Sequence, residues 1–424
     1  MLSRFFKIGL GTIATLLVSI LVIALLHRTS GQSAVGIYGV MTSSVVFGSL
    51  YSSGSQQFIT RYFSLSDSKV LAKHICFFLF INLLFTLISS IFVIVLIRFI
   101  ISIDTIPFET ISHAVIWGSL GCGQISVISA VLKGVGRPVI SEIFQKFIPA
   151  ALVGLLSVII FVNGNFSIIV FLQIYILTYF SIFLLVMSGA IVTISYSKIS
   201  LSSSDFLWAK RNIIGTLKFV RVELVNIYNT QSLMIISFVF GGAQLAGSYK
   251  LIERIVSLMA ISSGIVSVMG QREVALLSEI HISTSSLQDL AQRFSLITIS
   301  MLIPMGLLLF WVGQPALELL IGNPLSSYEY NLLLGVVCLM IFAGIFGVPG
   351  MILSVSGHPD MSFVANMIGV VCSLLALLII QNQMTYLSLI VLMTCTLVMP
   401  KLSAALILYR YLNINCLAKF PTRV

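Results

Sequence analysis

The sequence predicts an all-α polytopic membrane protein of about twelve transmembrane helices arranged as two pseudo-symmetric six-helix lobes. Three observations carry that prediction. Hydrophobic residues make up 58% of the 424-residue chain and charged residues 8%, and the mean hydropathy is +1.12. Soluble chains carry about 25% charge, so too few solvated side chains exist to cover a globular surface, which excludes a sizeable water-soluble catalytic domain. Apolar runs such as Ile91-Phe92-Val93-Ile94-Val95-Leu96-Ile97 are unbroken, unlike the alternating strands of outer-membrane barrels. Finally, the basic residues are sorted along the chain as the alternating loops of a helical bundle require.

A helix needs about 20 mostly apolar residues to cross the hydrocarbon core. In chain order the candidate spans fall at 5–26, 35–59, 74–97, 111–132, 138–162 and 166–192, then at 217–240, 243–268, 294–314, 331–355, 361–381 and 385–410. The first follows Arg4 and Lys7 as in a signal peptide, but no small-residue cleavage site succeeds Leu26, so it reads as an uncleaved helix. The second and eighth are the least apolar, being rich in Ser, Gly, Gln and charge. Between the sixth and seventh spans the texture changes. Ser202-Ser203-Ser204-Asp205 can cap a helix start. Phe206, Leu207, Ile213, Ile214 and Leu217 suit an interfacial helix, with Lys210 and Arg211 reaching lipid phosphates; a plain polar loop is the alternative. The predicted organisation is an N-terminal six-helix lobe over 1–194, a cytoplasmic linker over 195–215 and a C-terminal six-helix lobe over 216–424.

With the N-terminus in the cytoplasm, nineteen of the 23 Lys and Arg residues fall at cytoplasmic helix ends, Lys133, Lys146 and Lys401 among them. Arg28 and Arg98 fall outside, where Asp104, Glu109, Glu318 and Glu329 also lie, and Lys250 and Arg254 fall within the eighth span. A single missed helix would invert every later loop, so this bias predicts a multi-pass membrane protein with both termini cytoplasmic. The net charge of +10 is thereby a topology signal, and no nucleic-acid partner is expected. The six cysteines show neither CxxC spacing nor a cluster, so no metal site and no disulfide framework is signalled.

Six spans followed by six invite a search for internal symmetry. A shift of 211 residues superposes Lys7 on Lys218, Gly36 on Gly247, Tyr38 on Tyr249 and Arg61 on Arg272. A shift of 221 superposes Gly136-Arg137-Pro138 on Gly357-His358-Pro359, each in the turn between the fourth and fifth spans of its half. Helix ends attract Lys and Arg, and turns attract Gly and Pro, without any duplication. The Gly-x-Tyr pair and the arginine at one common spacing favour a true repeat. An even number of spans per half makes it parallel, about an axis along the membrane normal.

Enzyme signatures are missing: there is no HExxH, no GxSxG and no Walker or dinucleotide loop. Ser66-Asp67-Ser68-Lys69 matches SxxK only formally, in a short loop. No catalytic residue and no cofactor is expected, and the chain does not read as an enzyme.

Polarity inside the bilayer is costly and points to function. Lys250, Glu253 and Arg254 share one face of the eighth span, with a local excess of one positive charge. The seventh span adds Glu223, Asn226, Asn229 and Gln231; the second carries Ser52, Ser53, Ser55, Gln56 and Gln57 down to Arg61; and the fourth holds Gln124. The first half has no carboxylate deep in a span, Glu142 lying near a helix end. A cavity lined by Lys250 and Arg254, with Arg28 outside and Arg61 and Arg272 at the inner mouth, is net positive and suits a phosphate rather than an organic cation. A purely structural ion-pair cluster is the alternative for Lys250, Glu253 and Arg254, and helix packing for any single Ser or Gln.

The helix count, the parallel repeat, the run Gly247-Ser248-Tyr249 leading to Arg254, and the stretch 11–61 with Gly36-x-Tyr38-Gly39 and its terminal Arg61 resemble the Wzx-type O-antigen flippases. These belong to the multidrug/oligosaccharidyl-lipid/polysaccharide (MOP) exporter superfamily. The resemblance implies a two-lobed, V-shaped, MATE/MOP-like transporter. It would move an undecaprenyl-pyrophosphate-linked oligosaccharide, an O-antigen or capsule repeat unit, from the cytoplasmic to the periplasmic leaflet during lipopolysaccharide or other polysaccharide biosynthesis. Cationic lining is the role it implies for Arg61, Lys250, Arg254 and Arg272. Gln57, Gln124, Asn226, Asn229 and Gln231 are the expected polar lining, and Glu223 and Glu253 the groups available for ion coupling. Membrane lipids and other polysaccharide-assembly proteins are the expected partners. Drug exporters of the superfamily usually hold a membrane carboxylate in the N-terminal lobe, which argues against a multidrug or metabolite cation antiporter. A membrane-embedded O-antigen polymerase or ligase would need a long periplasmic loop, and the outer loops are short. Pro149, Pro304, Pro349-Gly350 and Pro400 are expected to interrupt helices and ease rocking between two states.

Overall fold

A computed structural model describes residues 2–65, 71–100, 106–197, 203–279, 284–380 and 384–417, and no strand occurs among them. The helices are α1 (Leu2–Gly48), α2 (Leu50–Leu65), α3 (Leu71–Ile100), α4 (Phe108–Gly134), α5 (Pro138–Glu142), α6 (Ile148–Val162), α7 (Ile168–Ser197), α8 (Ser203–Glu279), α9 (Thr284–Ile321), α10 (Ser327–Gly344), α11 (Pro349–Val355), α12 (Pro359–Ile380), α13 (Tyr386–Met393) and α14 (Met399–Leu412). Among the described residues, ten stretches are long and apolar enough to cross a membrane. Two of them are each cut by a glycine, Gly31 in α1 and Gly242 in α8, so ten and two give the twelve spans expected. The chain is an all-α, multi-pass membrane protein.

Burial runs inside out, as lipid demands. On α3, Phe80, Leu84, Ile88, Phe92, Val95 and Phe99 are exposed, while Asn82, Thr86 and Ser90 are wholly buried on the opposite face. Spacings of three and four collect each set on one stripe. Without water in the hydrocarbon core, the polar stripe must be satisfied within the protein. Thr86 bonds Ser52 at 3.1 Å and Asn82 at 3.3 Å. Small residues let α4 sit centrally against α2, α3 and α7: a methyl at Gly121 would lie 2.6 Å from the Tyr179 carbonyl oxygen.

The repeat is written into the backbone. Gly31 has φ 80° and ψ 178°, and Gly242 has φ 77° and ψ 175°. That conformation is essentially restricted to glycine, and the two positions are 211 apart, the shift that superposes Gly36 on Gly247. The Gly136 and Gly357 turns agree as closely, both with positive φ, 82° and 96°. Arg137 N donates to Leu132 O at 2.7 Å and His358 N to Leu353 O at 3.0 Å, the six-to-one bond that closes a helix C-terminus. Pro138 and Pro359 then open the next helix, where their missing N–H costs nothing.

Pro149 and Pro400 do not break their helices as expected. Each lies just beyond a π-helical turn, Ile143–Phe147 and Thr394–Val398, and the wider turn re-registers the hydrogen bonds around the residue that cannot donate. Pro304 lies inside α9, which continues past it. Pro349 does follow a true break, opening α11 after Gly347 at φ 66°.

Compact units are formed by Met41–Ile227 and by Met1–Val40 together with Tyr228–Val424, so the divisions fall within α1 and α8. Residues 198–202 of the expected linker, Ser202 among them, lie outside the described residues, as do the side chains of Phe206, Leu207 and Lys210. From Ser203 the chain is helical and continuous with the seventh span.

Candidate functional site: intramembrane charge

Helical spacing places Lys250, Glu253 and Arg254 together on α8, and Lys250 Nζ lies 2.8 Å from Glu253 Oε2. Lys250 is nearly inaccessible, at 3%, whereas Glu253 retains 32% of its side-chain exposure. The lysine stem is let through by Gly39, whose absent Cβ would lie 3.3 Å from Lys250 Cδ. Buried Tyr38 feels the charges of both Arg254 and Glu253, and its repeat counterpart Tyr249 feels Glu253. One carboxylate against two cations leaves an excess of one positive charge where dielectric screening is weak.

The same unit contains a close helix crossing. A methyl at Gly36 would collide with the Ala243 carbonyl oxygen, and one at Gly247 with that of Gln32. Residues 32 and 243 are themselves 211 apart, so the contact maps onto itself under the repeat. Beside it, Gln32 Nε2 donates to Ser248 Oγ, and Glu329 Oε1 accepts from Ser248 Oγ at 2.7 Å and Gln32 at 3.1 Å. Glu329 Oε2 accepts from Ser326 N and Oγ at 3.1 and 2.8 Å in a capping box on α10.

Arg28 belongs to this end of the unit. It donates from Nε to Leu320 O at 3.1 Å and from Nη2 to Leu319 O at 2.6 Å, capping the C-terminus of α9, where a cation complements the helix dipole. With His27, Gln32 and Glu329 it lines a pocket of about 480 Å³. Its hydrogen bonds give it a structural task that the sequence did not disclose.

The other expected site residues are distributed over both units. Arg61 lies near the end of α2 in Met41–Ile227, and Arg272 lies in Tyr228–Val424; the Arg272 side chain is outside the described residues. Asn226 Nδ2 donates to Glu223 Oε2 at 3.2 Å in the first of these units. In the second, Asn229 Nδ2 reaches Asn366 O on α12 at 3.0 Å, while Asn229 Oδ1 is buried without a hydrogen bond. Gln231 is half-buried. Gln57 is half-buried too, whereas Gln124 is completely buried with both amide atoms unpartnered.

One charged cluster escaped the sequence reading. Glu142 is 4% exposed and bridges Lys133 at 3.2 Å and Lys146 at 2.6 Å. Gln145, Ser126, Ser129 and Ser141 surround it, with Ser129 Oγ 2.6 Å from both Ser141 Oγ and Gln145 Oε1. The π-helical turn beginning at Ile143 brings Gln145 and Lys146 back toward α4. Glu142 lies near a helix end as expected, yet it is a buried carboxylate of the first half, and Lys133 is a buried ion-pair partner as well as a residue near a helix end. Spacing alone could not reveal this, because Lys133 and Glu142 lie on different helices.

No protein-family model and no curated protein matches the sequence. Solved structures match by fold. A MATE multidrug transporter, DinF-BH, superposes with a TM-score of 0.72 at 14% identity, covering 97% of this chain and 95% of that one. The fold is that of the MATE and MOP transporters. A MOP superfamily transporter from Pyrococcus furiosus, described by a binding pocket of reverse polarity, matches with a TM-score of 0.63 at 12% identity over 97% and 95% of the two chains. The lipid II flippase MurJ, in an inward closed conformation, matches with a TM-score of 0.59 at 13% identity over 94% and 86%. A multidrug transporter and a lipid flippase thus share this architecture.

Proposed function

We propose that the chain is a flippase carrying an undecaprenyl-pyrophosphate-linked oligosaccharide, an O-antigen or capsule repeat unit, from the cytoplasmic to the periplasmic leaflet of a bacterial inner membrane by alternating access. The observation that carries this reading is the excess positive charge at Lys250, Glu253 and Arg254 inside a transporter-fold helix. Charge inside the membrane is costly and points to function, and two cations set with one carboxylate attract an anionic pyrophosphate and repel an organic cation. Arg61 and Arg272 capture the pyrophosphate at the inner opening through forked hydrogen bonds. Lys250 and Arg254 then hold it. Gln57, Gln124, Asn226, Asn229 and Gln231 accommodate the sugars while the lipid tail stays in the bilayer. Glu223 and Glu253 are the groups available for ion coupling. Membrane lipids and other polysaccharide-assembly proteins complete the setting. Alternation requires the limbs that touch at Gly36 and Gly247 to part.

Against a multidrug or metabolite cation cargo stands Glu142, the buried carboxylate of the first half, whose charge is already offset by two lysines. Replacing Arg61 and Arg272 together by Gln should abolish surface glycan in a strain that depends on this chain, while the protein still inserts. Unchanged glycan in the double variant would sink the assignment.

A further inference from the structure

Lys401 has no topological reason for its position. Helix α13, the π-helical turn and α14 form one 27-residue span, Tyr386–Leu412. Lys401 stands fifteen residues after Tyr386 and eleven before Leu412, about 22 Å and about 16 Å from the two ends at 1.5 Å per residue. Whichever end faces the cytoplasm, this is deep within a core about 30 Å thick. The sequence groups Lys401 with the cytoplasmic helix ends, but the helix continues through the π-helical turn at Thr394–Val398 and past Lys401 to Leu412.

The face is as informative as the depth. Leu408, two turns on and on the same side, is fully buried, as is Ala404 at 2%, whereas Leu406 and Arg410 on the opposite side are exposed. Lys401 therefore points into the protein and away from lipid, yet it stays partly accessible. No ion pair or hydrogen bond to it occurs among the described residues; burial alone acts on its ammonium group. Its surroundings offer a second unmet group. At the Gly369 notch where α12 meets α14, a methyl would lie 2.5 Å from Pro400 Cγ and 2.9 Å from Asn229 Oδ1, and that oxygen is the buried acceptor without a hydrogen bond. An uncompensated cation in the middle of a span, facing inward and reachable, awaits a mobile counter-ion.

We propose that Lys401 is a further headgroup-binding residue, an ammonium on α14 that contacts the pyrophosphate of the lipid-linked cargo from the Tyr228–Val424 unit, which also holds Lys250 and Arg254. This rests on the flippase reading. The pyrophosphate brings the negative charge.

The test measures binding of geranylgeranyl pyrophosphate to the purified full chain, with geranylgeraniol and inorganic pyrophosphate as separate arms. Wild type should bind geranylgeranyl pyrophosphate and fail to bind the alcohol. Lys401→Gln should weaken binding about tenfold or more, as loss of a charge-assisted hydrogen bond does, while Lys401→Arg stays within about threefold. Bound geranylgeranyl pyrophosphate should also protect Lys401 of the wild-type protein from an amine-acylating reagent, a readout that requires no variant to fold. Wild-type binding with undiminished affinity in Lys401→Gln, or without protection, overturns the assignment of Lys401 and leaves the flippase reading standing. Failure of wild type to bind geranylgeranyl pyrophosphate overturns both. Equal affinity for inorganic pyrophosphate overturns the lipid-headgroup assignment in favour of a free anion.

Discussion

Removing the Glu253 carboxylate leaves the Lys250 ammonium, 3% exposed, without the counter-charge 2.8 Å away. Breaking a buried pair in this way costs more than the pair itself contributes, because the surviving charge stays desolvated. Glu253→Gln should therefore destabilise the protein by about 3 kcal/mol, read as a lower thermal midpoint in detergent. Replacing both residues by Met should recover much of the loss. A double variant no more stable than the single one would show that the two residues act independently. The type and spacing of these residues were legible in the sequence, because i, i+3 and i+4 positions share a helix face whatever the fold. The Lys133–Glu142–Lys146 bridge was not, since its charges come together only after the chain turns at Gly136 and re-registers at Ile143–Phe147. Arg28 shows the same limit: its partners are the Leu319 and Leu320 carbonyls, nearly three hundred residues away along the chain.

Among elements, the crossing of the α1 and α8 limbs is a demanding contact. Gly36 and Gly247 each abut a carbonyl oxygen of the opposing limb, so an added methyl meets backbone, which cannot rotate aside. Gly36→Ala and Gly247→Ala should each destabilise the protein by about 1–3 kcal/mol, with similar losses because the contact is its own counterpart under the 211-residue shift. Thermal midpoints of the two variants in one detergent check this, and a loss at only one position would contradict the symmetry. The pairing of Gly36 with Gly247 was readable as a sequence match. That the two matched glycines touch each other was not, because a repeat states equivalence and only packing creates contact. The Gly31 and Gly242 breaks obey the same shift, but a glycine match by itself does not announce a helix break.

For the whole molecule, an even number of spans is expected to put both termini on one side of the membrane. Reporters fused to the first and last residues should both read cytoplasmic, as the bias of basic residues predicts. Opposite readings would refute the even count, and two periplasmic readings would refute the orientation.

What the sequence by itself determined is everything that depends on solvent. A charge content of 8% forces the chain into lipid, unbroken apolar runs force helices, and the cost of moving basic groups across the bilayer orders the loops. These are one-body preferences of residues for water or hydrocarbon, and they add up along the chain without reference to its folding. Only the tertiary structure decided which charges are neutralised. Lys133 faces a carboxylate of another helix at 3.2 Å, while Lys401 faces none among the described residues, although both look like helix-end lysines in one dimension. Neutralisation is a property of pairs brought within a few ångströms, and the α4–α5 turn and the π-helical turns set those distances.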